Sequence, residues 1–303
     1  MIVGHFFLAA ALTGLIAHYR GLEAESCLKL ALVAGTLALL PDLDVLYSMK
    51  EITALFTSGF YSFTDSFWTA SETVHRGLTH SLATLVLTSA AAILYHRTRS
   101  KPLAGATVVL TALISLYLES ILTAAIMGAF SLGTILIVDK MKGYSTENII
   151  TALTAGLIIH PFGDVFTGTP PNFLYPLDVQ LLASRIALFE DPVLNFFLIL
   201  TLEIAAIWAA VKMYSTVKSR SIPESLKPLL LIGVAYPVLG NLVNTPTMST
   251  GYQFVFSVIL LSFTAAYAVK IRNREKIDYF VLSVNFLTAM TLASLVYLIQ
   301  YVL

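Results

Sequence analysis

Long apolar runs, separated by short charged or Pro/Gly-containing stretches, follow one another along almost the whole chain. Hydrocarbon about 30 Å thick is crossed at about 1.5 Å per residue, so about 20 mostly apolar residues make one membrane helix. Runs of that kind lie near residues 2 to 19, 28 to 46, 79 to 95, 102 to 118, 120 to 138, 148 to 167, 193 to 213, 228 to 244, 251 to 271 and 279 to 302. The pattern predicts an all-α fold, a polytopic transmembrane helical bundle of about ten spans. The stretch from Leu103 to Val138 would be about 54 Å long as one helix and must turn, with Glu119 the expected turn residue. Two connections are long: Tyr47 to Leu78, which holds the aromatic-rich stretch Phe60 to Trp68, and Gly168 to Pro192, which opens with Gly168, Pro170 and Pro171. Both suit the membrane interface. No internal repeat or low-complexity tract is present, so one membrane domain is expected, with a core at 1–176 and a four-span region at 177–303.

Composition strengthens this picture. Of 303 residues 57% are apolar and only 12% charged, with a mean hydropathy of +0.82, which excludes an ordinary water-soluble domain. Residues 1 to 19 are apolar and include Ala9, Ala10 and Ala11, but no Lys or Arg precedes them, so they read as a retained first span and not as a signal peptide. Net charge is zero, leaving no basic footprint for nucleic acid. Cys27 is the only cysteine, so a disulfide within the chain and thiolate-rich metal sites are both excluded. Any metal must be held by imidazole and carboxylate.

With ten spans, alternate connections gather Arg20 and Lys29; Arg97, Arg99 and Lys101; Lys140 and Lys142; Lys212, Lys218, Arg220 and Lys227; and Lys270, Arg272, Arg274 and Lys276. The opposite connections carry only Lys50, Arg76 and Arg185. By the positive-inside rule the first set is cytoplasmic, and both termini face outward across the cell membrane. On that topology His5 lies near the outer end of the first span, Asp42 and Asp44 end the second, His75 and His80 flank the start of the third, and His160 and Asp164 close the sixth. Four separate segments thus deliver imidazoles and carboxylates to one depth. Ionisable groups near hydrocarbon are costly unless paired, liganded or wet, and a shared metal would satisfy them together.

Local spacing adds detail. His160 and Asp164 are four apart and project from one helical face, although Pro161 and Gly163 weaken that helix. Asp42 and Asp44 are two apart, about 200° around a helix, so either the helix breaks near Pro41 or only one of them is a direct ligand. His75 would come from a loop and His80 from a first helical turn, with Gly77 allowing close approach and Thr79 able to cap. His18 and His96 lie at inner span ends without an acidic cluster and read as interfacial residues. Glu203, in the middle of a span, suits either a functional role or a helix–helix hydrogen bond.

The segments Gly4-His5, Leu40-Pro41-Asp42-Leu43-Asp44, His75-Arg76-Gly77-Leu78-Thr79-His80-Ser81, and His160, Asp164 and Thr167 before Pro170 resemble the YdjM-like family of inner-membrane, metal-dependent hydrolases. The resemblance covers about residues 1 to 176. It departs in an extra apolar hairpin from Pro102 to Val138 and in the C-terminal four spans, and it implies a metal and hydrolysis. A weaker likeness, of pattern only, is to the zinc-dependent phospholipase C and P1-type nuclease fold, where an N-terminal histidine, an aspartate, a histidine and a helical HxxxD pair gather metals in that chain order.

The expected chemistry is a divalent ion, zinc before manganese, iron or nickel, that activates water against a phosphoester or related bond of a lipid or lipid-linked substrate at the outer face. Arg76 would bind an oxyanion, the aspartate not used as ligand would act as general base, and Thr79, Ser81 and Thr167 would support the ligands. Asp44, Arg76 and His80 are therefore the expected catalytic residues. Two other classes fit the same residues. A transporter could couple ions through the cluster, with Glu203 and Pro237 in its favour, although transport sites usually lie at the midplane of repeat-built folds. A non-catalytic scaffold would have every metal position filled by protein.

Overall fold

The computed structural model describes residues 2–59, 62–63, 66–67, 69–70, 76–177, 179–222, 227–243, 257, 260–261, 263–264, 267 and 278–303. The ordered elements among them are all helical, and the chain divides into two compact units, Met1–Ile186 and Ala187–Leu303.

The first unit opens with α1 (Ile2–Tyr19) and α2 (Ala24–Leu39), packed against each other. Their buried faces are rich in alanine, Ala9, Ala10 and Ala17 on one and Ala31, Ala34 and Ala38 on the other; small side chains let backbones approach where lipid supplies no hydrophobic drive. The helix ends at Leu39 and does not run to residue 46, because Pro41 lacks a backbone donor and starts a 3₁₀ stretch, Pro41–Glu51, that leads into α3 (Ile52–Thr57). A second 3₁₀ turn, Leu78–His80, precedes α4 (Leu82–Thr98). His80 therefore sits just before the helix and not in its first turn, and Thr79 does not cap, since its hydroxyl is used elsewhere.

The helices α5 (Lys101–Leu118) and α6 (Ile121–Asp139) form the hairpin read from sequence, and the chain turns at Glu119. Ser100 and Ser120 cap them by accepting from the Leu103 and Thr123 amides. After α7 (Thr146–Leu153) the helix widens into a π turn, Thr154–Ile158, then runs through α8 (His160–Gly163) into a 3₁₀ turn, Asp164–Phe166. Gly156 lets this segment lie against α2: a β-carbon there would stand 2.6 Å from Leu37 Cβ and 2.7 Å from the Ala34 carbonyl oxygen.

The second unit contains α9 (Pro192–Val217), α10 (Lys227–Val243) and α11 (Tyr279–Val302). α9 and α11 run antiparallel, with the Trp208 indole donating to Thr291 at 3.0 Å and the Phe197 and Tyr297 rings 4.7 Å apart. Glu203 lies on α9 and Pro237 on α10.

Among the described residues, five helical segments are long and apolar enough to cross a membrane: Lys101–Leu118, Ile121–Asp139, Thr146–Phe166, Pro192–Val217 and Tyr279–Val302. The count of about ten is not reached among the described residues. Val3–Tyr19 is a shorter apolar helix, the run from 28 to 46 is cut by Pro41, and most of the run from 251 to 271 lies outside the described residues, as does most of the aromatic stretch from Phe60 to Trp68.

Candidate metal centre

Each ligand candidate sits where a helix ends or breaks, so its side chain turns back into the first unit and not out toward lipid. Asp42 follows α2, His80 precedes α4, and His160 and Asp164 follow the π turn. Donor atoms of Asp42, His80, His160 and Asp164 all lie within 4.8 Å of one another. The two imidazoles point Nε2 at Nε2 across 3.1 Å. Asp42 Oδ1 is 3.7 Å from His80 Nε2 and 3.5 Å from His160 Nε2. Asp164 Oδ2 is 3.1 Å and 3.4 Å from the same two atoms. Two nitrogens and two carboxylate oxygens thus face one point, the donor set that borderline divalent ions prefer.

The outward edge of each group is held by a specific partner. His160 Nδ1 donates to the Ala38 carbonyl at 2.8 Å, which leaves its Nε2 lone pair directed into the cluster. His80 presents Nδ1 to Asp44 Oδ2 at 3.3 Å, and Asp44 also accepts from the Arg76 amide at 3.2 Å and from the Thr79 hydroxyl. On Asp164, Oδ1 accepts from His5 Nε2 at 3.0 Å and lies 3.9 Å from the Arg76 guanidinium. The His5 ring also packs on the His160 ring, centroids 4.0 Å apart.

Charge does not balance without a further cation. The side chains of Asp42, Asp44 and Asp164 are almost wholly buried, and among the described residues Arg76 is the one guanidinium beside them. Asp42 Oδ2 is buried and accepts no hydrogen bond from any described group, and the buried Asp164 Oδ2 faces the two imidazole Nε2 atoms; leaving buried carboxylate oxygens unmatched is costly. Asp42 and His80 lie in the connections outside the helices. Burial by itself would raise the Asp42 pKa, but hydrogen bonds from His160 and His80 outweigh it and hold the carboxyl below its ordinary range. Burial opposes charge on His80 too, yet the Asp44 charge and the hydrogen bonds with Asp164, Asp42 and Asp44 leave its pKa well above the ordinary value. A proton there supplies the positive charge that the acids demand, and a divalent ion would replace it. The residues present therefore fit a metal.

Of the residues singled out from sequence, His5, Asp42, Asp44, Arg76, His80, His160 and Asp164 converge here, while His75 lies outside the described residues. Their positions divide the roles. Asp42 faces the shared point, whereas Asp44 lies behind His80 and engages its Nδ1 edge, a placement that orients the imidazole and does not suit a general base. The Arg76 guanidinium is occupied by the carbonyls of Thr167, Thr169 and Asp164 and by the Thr167 hydroxyl, so it clamps the following loop instead of offering a free oxyanion site. That loop is laced to the His80 segment by the Asn172 amide on the Arg76 carbonyl at 3.0 Å, the Leu82 amide on the Phe173 carbonyl at 2.9 Å and the Ser81 hydroxyl on the Tyr175 carbonyl at 2.6 Å. Two contributors escape a reading of residue types. The Ala38 carbonyl is backbone and leaves no signal, and Gly163, readable only as a weakness in the helix, is what makes room for the His5 ring.

Asp44→Asn is expected to weaken divalent-metal binding about 10- to 100-fold without abolishing it, the usual cost of losing a group that orients a ligand. Metal titration of the purified protein checks this, and a loss as complete as that of His80→Ala would place Asp44 on the ion itself.

A family model described as YdjM inner membrane protein matches residues 1–244, well beyond residue 176 where the likeness of motifs ends. No curated protein and no solved structure matches the chain.

Proposed function

We propose that this chain, which belongs to the YdjM inner membrane protein family, is a metal-dependent hydrolase acting on a phosphoester or related bond of a lipid-associated substrate at the outer membrane face. The observation that supports this most is the buried set Asp42, His80, His160 and Asp164, aimed at one point while other groups hold its outer edges. Zinc is the preferred ion for two imidazoles and two carboxylates, with manganese, iron and nickel compatible. When bound, such an ion lowers the pKa of a water toward neutrality and offsets negative charge on the attacked group. The chain's own residues then have distinct tasks. Asp44 and the Ala38 carbonyl keep both imidazoles in the tautomer that presents Nε2, His5 and Arg76 hold the Asp164 carboxylate, and the Arg76 clamp on Thr167 and Thr169 fixes the loop beside the site. Hydrolysis adds water across the ester: the phosphorus–oxygen bond to the leaving group breaks, water oxygen takes its place, and the leaving alkoxide ends protonated.

One observation favours a second reading. Four protein donors surround the point, and His80 and His160 are fully buried, as in a closed structural site with no position left for water. Purified protein given bis(4-nitrophenyl) phosphate separates the two. Hydrolysis that requires added metal, stops with chelator and is lost in His160→Ala supports the enzyme. Stoichiometric metal with no turnover, and unfolding when the metal is removed, supports the structural site.

A further inference from the structure

The 3₁₀ stretch Pro41–Glu51 carries ligand Asp42 at its start and then leaves the cluster along the surface of the first unit. A 3₁₀ helix has three residues per turn, so side chains at every third position eclipse one another. Leu46, Met49 and Ile52 occupy such positions and are 58%, 42% and 39% exposed; Phe56, one α-helical turn further on, is 81% exposed. Asp44 and Ser48, on the other sides of the same turns, are 2% and 0% exposed, and the stretch packs on α6 and on the Leu78–His80 turn. One face is therefore built into the metal centre while the other is a continuous apolar stripe. The stripe begins four residues from Asp42, just past the end of an apolar helix. Its length is too short to span and its face is too apolar for water, which is the description of a segment lying in the plane of a membrane boundary. A second apolar edge, Leu177, Val179 and Leu181, at 62%, 47% and 58% exposed, lies on the loop laced to the His80 segment.

We propose that Leu46, Met49, Ile52 and Phe56 are embedded in the lipid leaflet beside the metal centre and make it selective for a membrane-resident amphiphile, whose polar ester lies at Asp42 while its apolar tail remains in the leaflet along the stripe. The inference rests on the hydrolase reading for its substrate and on the amphipathic 3₁₀ segment alone for its placement. Asp42 is the natural point of approach because the same 3₁₀ stretch carries both this ligand and the stripe.

Two measurements on full-length protein in phosphatidylethanolamine/phosphatidylglycerol vesicles test it. For placement, a Cys27→Ser, Met49→Cys protein is labelled with an environment-sensitive fluorophore; quenching by acyl-chain nitroxide lipid at least about fivefold stronger than by aqueous iodide is expected, and the reverse order overturns the embedding. For selectivity, Leu46→Ser/Met49→Ser/Phe56→Ser is compared with wild type on two probes, the vesicle phospholipid and soluble bis(4-nitrophenyl) phosphate. A tenfold or greater fall on phospholipid, with hydrolysis of the soluble ester and metal content unchanged, is expected. An equal fall on both probes, or none on either, overturns the selectivity. If wild type hydrolyses neither probe, the hydrolase reading fails, while the quenching result still decides where the stripe lies.

Discussion

Asp164→Ala protein, purified from membranes and equilibrated with zinc, is expected to retain less than about a tenth of the wild-type metal while still inserting as a membrane protein. Both of its carboxylate oxygens are engaged within the centre. One oxygen stands 3.1 Å and 3.4 Å from the two Nε2 atoms, and the other receives His5 at 3.0 Å and faces the Arg76 guanidinium. Alanine removes a donor to the ion, frees His5 to move, and takes the Asp164 carboxylate from the Arg76 guanidinium, so the loss exceeds that of a group that only orients a ligand. Asp164→Asn keeps the shape and one carbonyl oxygen but not the charge, and should bind metal at an intermediate level. Insertion should persist, because the apolar helices do not depend on the cluster for their partition into lipid. Elemental analysis of the variants beside His18→Ala, which alters a histidine at the far end of α1, gives the comparison. Wild-type metal content in Asp164→Ala would show that the ion is held elsewhere.

Which features could be read from residues alone follows from the range of the interactions that decide them. Convergence of four segments was legible because depth in a membrane is counted along the chain, and His5, Asp42, His80 and His160 lie at matching ends of apolar runs. The hairpin turn at Glu119 was legible for the same reason, since no single helix could hold so long a run. The conflict between Asp42 and Asp44 was visible too, as two residues that one α-helix cannot aim together. Its resolution needed coordinates. Pro41 converts the chain to a 3₁₀ path, and His80 then lies between the two carboxylates, Asp42 on its Nε2 side and Asp44 on its Nδ1 side. Arg76 misled for a related reason. A cation within a ligand motif suggests an anion partner, but the nearest acceptors are backbone carbonyls of residues some ninety positions away, which no local pattern reveals. Span number was the weakest reading because apolar runs do not record where a proline stops a helix short of spanning length.

The second large effect concerns a residue with no side chain. A β-carbon at position 163 would overlap Cε1 of the His5 ring, and that ring has little room to retreat, being buried and packed against His160. Gly163→Ala is therefore expected to push His5 off Asp164 and to lower metal affinity about 10- to 100-fold, with no loss of helix propensity to account for the result, since alanine is the better helix former. Two explanations would give the same single-variant result: displacement of His5, or strain in the α8 backbone that moves His160 and Asp164 together. A double-mutant cycle separates them. His5→Ala alone should weaken binding by a comparable factor, because it removes the same hydrogen bond to Asp164. If displacement of His5 is the cause, the added methyl group has nothing to strike once that ring is gone, and His5→Ala/Gly163→Ala should bind metal as His5→Ala does. Should the two losses instead multiply, the methyl group acts through the backbone, and the close fit of His5 over Gly163 would be a consequence of packing with no part in holding the Asp164 carboxylate toward the ion.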